Sequence, residues 1–126
     1  MEAAKRNKRV TVIPGLDNES DLLASAYAAC EVFVLPSLFE TPGIAALEAA
    51  LAGAKVVITP FGGTQDYFGG MAQYVNPHSV DSIKSGILLA LNEPRTSRLH
   101  DHVKKEFLWH RVAQKTLEAY RTIAGG

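Results

Sequence analysis

Short apolar runs alternate along the chain with stretches in which apolar residues recur every three or four positions. Val10-Thr11-Val12-Ile13 is a β-branched run stopped by Pro14-Gly15, and it predicts a first strand entering a turn. Asp17 to Ser20 offers helix-capping residues. Leu22, Leu23, Ala26, Tyr27 and Cys30 follow at the spacing of an amphipathic helix. Val32-Phe33-Val34-Leu35 is continuously apolar up to Pro36-Ser37, the pattern of a strand covered on both faces. Thr41-Pro42 reads as the N-cap and first residue of a helix running to about Leu51, with Gly53 marking its end.

Val56-Val57-Ile58-Thr59 repeats the strand pattern before Pro60. A loop at Phe61-Gly62-Gly63-Thr64 and a weaker segment, Asp66 to Gly70, lead to a short strand near Ala72 to Val75. Ser79 caps a helix carrying Val80, Ile83, Ile87, Leu88 and Leu91, and Pro94 opens a helical stretch toward Phe107. The last helix has the clearest stripe: Trp109, Val112, Ala113, Thr116, Leu117, Tyr120, Ile123 and Ala124 share one face, and Trp109 reads as its core anchor. Gly125-Gly126 reads as a frayed end. Strands alternating with helices imply an α/β fold, a parallel sheet of about four strands with helices on both faces.

Composition excludes several classes. The 126 residues carry 13 Lys+Arg against 13 Asp+Glu, a formal net charge of zero, without the basic excess that nucleic-acid binding draws on. One cysteine, Cys30, cannot form an internal disulfide, and a reducing compartment, the cytoplasm, is expected. No apolar run nears the roughly 20 residues of a membrane span, so no transmembrane segment is expected. Met1 to Arg9 is charged but lacks a following apolar core, so no signal peptide is expected. This length fits a single domain over residues 1–126.

In a parallel sheet, ligands collect beyond the carboxyl ends of the strands, where loops pass into helix N-termini. Two carboxylates stand there, Glu40 and Glu48. With Thr41 as cap, the helical rise from Thr41 to Glu48 is about 10 Å, too long for two carboxylates to share a proton. They suit the two ends of one ligand instead. Between them, free N–H groups near Gly43 and Ile44 and the positive end of the helix would form an anion site fit for a diphosphate. The residues alone leave another reading open: Glu40 as a solvated loop residue, Glu48 as a surface residue and Thr41-Pro42 as no more than a good helix start.

Other chemistry is thin. His100 and His102 lie two apart, which points them to different helix faces, and no metal site is expected. Cys30 sits on the apolar face of its helix with no neighbouring cation to activate it. Tyr67 and Phe68 are read as packing residues. Gly62-Gly63 lacks the Lys-Ser/Thr ending of a P-loop, and its residues alone fit a plain turn as well as a phosphate cradle.

Val10 to Ile123, roughly nine tenths of the chain, resembles the later part of the C-terminal donor-binding domain of retaining family 4 glycosyltransferases of the GT-B fold. The resemblance is carried by Pro36-Ser37 followed by Glu40 and, eight positions on, Glu48-Ala49; then Gly53 before Val56-Val57; then Gly62-Gly63 opening the run to Phe68; and finally Trp109. It implies a Rossmann-like sheet and, at the position of Glu40, the catalytic residue, which meets hydroxyls of the donor sugar. Glu48 matches the residue that binds ribose hydroxyls, and Gly43 and Ile44 the backbone amides at the sugar or diphosphate. Thr41, Pro42, Gly62 and Gly63 complete the implied donor site.

The implied substrate is a UDP-, GDP- or ADP-sugar, with no cofactor, and the sugar passes to a glycan or lipid-linked acceptor with retention. The departing diphosphate takes the acceptor proton. Such enzymes often work at membranes, which adds peripheral membrane contact to the expectations.

Departures from the pattern shape the rest. Thr41-Pro42 stands where Gly-Phe is usual, removing one backbone donor, and Asp66 stands where Glu is common. The two strand-helix units that usually open the domain, with a Gly-Arg loop and a Lys that neutralise the diphosphate, have no counterpart here, nor does the N-terminal acceptor domain. The expectation is a partial domain completed by a separate N-terminal half or partner chain. The alternative is a non-catalytic module that binds nucleotide sugar or pairs with such a half. In the order 3-2-1-4-5-6 the absent strands fall between those at Val10 and Val32. Either the Val10 strand moves beside Val32 to close a four-stranded sheet, or a second copy of the chain completes it.

Overall fold

The computed structural model describes residues 6–125. Ser20 accepts a hydrogen bond from Leu22 N–H and opens helix α1, Asp21–Ala29, as its capping position predicts. Strand β1, Val32–Leu35, follows, then α2, Ile44–Leu51, and β2, Lys55–Ile58. A one-turn helix α3, Thr64–Phe68, passes through a 3₁₀ turn, Gly69–Met71, into β3, Gln73–Tyr74. Ser79 caps α4, Val80–Asn92, and α5, Arg98–Glu106, and α6, Trp109–Ala124, complete the described chain.

The sheet has order β1-β2-β3 and is parallel throughout. Val32 to Leu35 stand opposite Lys55 to Ile58 in register, and Val57 and Ile58 stand opposite Gln73 and Tyr74. Alternation along β2 sends its side chains to both faces. Val56 and Ile58 pack with Ala46, Ala50, Phe68, Leu99 and Val103, which places α2, α3 and α5 on one face. Val57 packs with Val75 and Ala90 on the other, beneath α4. This double coverage is why β1 and β2 read as unbroken apolar runs.

The sheet has three strands among the described residues, not about four. Val10, Val12 and Ile13 form no strand and are 46%, 50% and 48% exposed. A β-branched run becomes a strand only when a neighbour's N–H and C=O groups pair with it, and Val10 to Ile13 do not move beside β1 to find them. Helix α2 starts at Ile44, not at Thr41-Pro42, because Gly43 precedes it at φ 74°, ψ 58°, a left-handed conformation that no helical residue holds. Helix α5 starts four residues after Pro94. Helix α6 forms over the predicted span but buries no residue: Trp109 is 79% exposed and is not a core anchor. Its stripe has the period of a buried face, but period alone does not supply burial. Of the expected frayed end, Gly126 lies outside the described residues.

Candidate functional site

Because β1 and β2 are parallel, Leu35 and Ile58 end on the same side, and the loops leaving them meet. Glu40 N–H donates to Phe61 O at 3.1 Å, and Gly63 N–H donates to Glu40 O at 2.9 Å, so Glu40 and Gly62 form a parallel bridge beyond the strand ends. Candidates more than twenty positions apart in sequence are thereby joined. Gly62 is required there: at φ +99° it holds a backbone other residues avoid, and a Cβ would stand 2.0 Å from Glu40 O.

Two buried threonines, Thr59 and Thr64, set this loop. Thr64 Oγ1 donates to Thr59 O at 2.7 Å, and Phe61 N–H donates to Thr59 Oγ1 at 3.3 Å; both threonines are fully buried. Buried polar groups must find partners, and these find each other across the turn that carries Gly62-Gly63. A buried Thr on either side of Pro-x-Gly-Gly was the signal available in the sequence.

The bridge holds Glu40 extended, so the chain must turn through Thr41 and Pro42 before a helix can start. Gly43 makes that turn. Its carbonyl accepts from Ala46 and Leu47 N–H, and no side chain caps the helix. The point where a Gly43 Cβ would sit is 3.9 Å from Glu40 Oε2, which puts the Glu40 carboxylate beside the start of α2, where the helix dipole favours negative charge. Thr41 is exposed, Pro42 half-buried and Ile44 51% exposed around it. With the helix beginning after Gly43, the rise to Glu48 is five residues, about 7.5 Å, shorter than a start at Thr41 implies.

Glu48 is exposed on α2, and its Oε2 accepts from Tyr27 Oη at 3.2 Å. Burial, then the Glu48 charge and this hydrogen bond, push the Tyr27 phenol above its ordinary range. Tyr27 reads from sequence only as part of an apolar stripe; its hydroxyl is what the stripe conceals. An apolar groove of about 430 Å³ reaches Glu48 from the other side, walled by Ile44, Leu47, Phe107 and Trp109.

Other candidates serve the fold. His100 Nδ1 lies 2.6 Å from Leu51 O and His102 Nε2 lies 2.9 Å from Tyr67 O, so each imidazole ties α5 to a backbone carbonyl. Phe68 is fully buried, and Tyr67 packs on Phe107 with ring centroids 5.0 Å apart. Asp66 is exposed in the first turn of α3. Burial raises the Cys30 thiol above its ordinary value, against a smaller lowering by Val32 N–H. No cluster of metal-ligating side chains occurs among the described residues.

Residues 1–106 match the family described as glycosyl transferases group 1. The chain belongs to this family. It is 35% identical over 106 residues to the D-inositol 3-phosphate glycosyltransferase of Kribbella flavida, covering 79% of this chain and 25% of that one. It is 31% identical over 108 residues to an uncharacterized glycosyltransferase of Methanocaldococcus jannaschii, covering 80% of this chain and 28% of that one. The fold superposes on sucrose-phosphate synthase from Thermosynechococcus elongatus with a TM-score of 0.80 and 27% identity, over 98% of this chain and 32% of that one. The GT-B, Rossmann-like class is thus shown. The group 1 chain spans about a quarter of the length of the two curated relatives. Among its described residues, no helix is long and apolar enough to cross a membrane.

Proposed function

We propose that this chain is the donor-binding part of a retaining glycosyltransferase and holds a nucleotide-diphospho-sugar beyond the ends of β1 and β2. The observation that carries the reading is the gathering of Glu40, the uncapped start of α2 and Gly62-Gly63 at one end of a parallel sheet, with Glu48 one turn along α2. Glu48 accepts the ribose hydroxyls. Glu40 meets hydroxyls of the sugar and is the catalytic residue of the pair. The amides of Gly43 and Ile44 face the diphosphate, and Thr41, Pro42, Gly62 and Gly63 line the site.

The bond from the anomeric carbon to the diphosphate oxygen breaks, and the acceptor oxygen bonds to that carbon on the same face. The leaving diphosphate receives the acceptor proton, and the helix amides offset its developing charge. The donor is a UDP-, GDP- or ADP-sugar, with no separate cofactor. A glycan or lipid-linked hydroxyl is the acceptor, bound by a second unit: an N-terminal half, a partner chain or a second copy. The exposed apolar face of α6 supports such a covering unit. Where that unit does not complete a catalytic cleft, the chain acts as a nucleotide-sugar-binding module. A free cysteine fits a reducing compartment such as the cytoplasm, with peripheral contact at a membrane part of the same reading.

Calorimetric titration with UDP, GDP and ADP, repeated on Glu48→Ala, tests the reading. One nucleotide binds saturably, and the variant loses about 1.5–3 kcal/mol, the usual worth of hydrogen bonds to a charged group. Equal affinity in parent and variant removes Glu48 from the site.

A further inference from the structure

We propose that Tyr27 is a positioning residue that orients Glu48 for a ribose diol. This rests on the reading of Glu48 as the ribose-binding carboxylate. Glu48 is an exposed side chain on a helix surface, and unrestrained it would spread over several rotamers whose ordering a ligand must offset on binding. Tyr27 removes part of that freedom from another element: it lies on α1, its hydroxyl donates to Glu48 Oε2 at 3.2 Å, and the two residues are 21 positions apart. The hydroxyl is itself fixed. The Tyr27 ring meets Phe33 of β1 edge to face, with centroids 5.8 Å apart and planes at 65°, and Phe33 packs against the core. The sheet thus places the ring, and the ring places the carboxylate.

The donor–acceptor balance suits the role. A carboxylate offers about four lone-pair positions, of which a phenol takes one and a ribose diol two. The phenol stays protonated at neutral pH, since burial, the Glu48 charge and the hydrogen bond all oppose its ionisation. A ring serving α1 packing alone needs no hydroxyl, and Phe would serve it equally.

The test compares the 126-residue chain with Tyr27→Phe, Glu48→Ala and the double variant, titrating each with UDP, GDP, ADP and inorganic pyrophosphate. Tyr27→Phe keeps the ring against Phe33. It weakens nucleotide binding by about 5-fold, leaves pyrophosphate binding unchanged and causes no further loss in the Glu48→Ala background. Loss of both ligands alike, or the same loss with and without Glu48, indicates a merely structural ring and overturns the inference. Unchanged nucleotide affinity in Tyr27→Phe while Glu48→Ala is impaired overturns the positioning role alone. Absence of nucleotide binding by the parent, or indifference to Glu48→Ala, overturns the Glu48 reading and this inference with it. A ligand-free readout stands beside these: by NMR the Tyr27 phenol titrates at lower pH in Glu48→Gln than in the parent, and an unchanged titration shows that the contact is not made and overturns the inference.

Discussion

At the scale of single residues, the sharpest demand falls on Gly62. A Cβ there collides with Glu40 O at 2.0 Å, and the neighbouring atoms are backbone, which cannot swing aside. Gly62→Ala adds the cost of a positive φ to that collision, and a loss of about 2–3 kcal/mol is expected in urea denaturation. The damage has a direction. The loop must move off Glu40, so nucleotide affinity falls by more than the stability loss accounts for in the fraction that remains folded. A variant with parental stability shows that the Glu40–Gly62 bridge is not made. Tyr27 and Glu48 make the opposite kind of pair, a contact the fold tolerates losing, whose removal registers at the ligand rather than in stability.

Between elements, the joint of α5 and α6 is held by charge. Lys115 Nζ lies 2.6 Å from Glu106 Oε2, and Lys105 lies 3.8 Å from the other oxygen. The hydrogen bond and charge of Lys115 hold the Glu106 carboxyl below its ordinary value, against a small opposing desolvation, with Lys105 and His102 adding to the lowering. A depressed carboxyl contributes stability that is present above its unfolded pKa and is lost as pH falls through the folded one. The Lys115–Glu106 contact is therefore made at neutral pH and lost in acid. Lys115→Ala raises the Glu106 pKa toward the ordinary carboxylate range, which a carbon-detected NMR titration reads directly. A Glu106 titration identical in parent and variant removes the contact as a link between the helices. Exposed pairs of this kind contribute little to global stability, so the contact is read by the Glu106 titration and not by unfolding.

For the molecule as a whole, the dominant feature among the described residues is the exposed apolar stripe of α6. Trp109 and Ile123 are each 79% exposed and Tyr120 is 67% exposed, all on the stripe that predicts burial, and the groove of about 430 Å³ opens beside Trp109 and Val112. None of the residues of α6 is buried, and an exposed apolar face of this extent is the kind of surface that interaction sites use. Trp109 is the chain's single tryptophan, which makes it a clean reporter. Its emission in the isolated chain is that of a solvated indole, open to collisional quenching, and shifts to the blue with loss of quenching when a covering unit is added. A blue, protected emission from a species that sediments as a monomer contradicts the exposed arrangement. Self-association accompanied by protection identifies a second copy as the cover.

The sequence by itself determined the α/β class, the strands at Val32 and Val56, the capped helices after Ser20 and Ser79 and the residue types of the candidate site. Each of these follows from local chemistry: an unbroken apolar run covered on two faces, a hydroxyl that satisfies free helix N–H groups, a glycine where the backbone must turn. Tertiary structure decided what needs a distant partner. Among the described residues, Val10 to Ile13 has the composition of a strand but no neighbour to pair with, and α6 has the period of a buried helix but buries no residue. The start of α2 moved from Thr41 to Ile44 because the Glu40–Gly62 bridge, formed across more than twenty residues, holds the chain extended until Gly43 releases it. The Tyr27–Glu48 contact was hidden for the same reason: periodicity reports which face a residue occupies, whereas the group its hydroxyl meets is set by how two helices pack on the sheet.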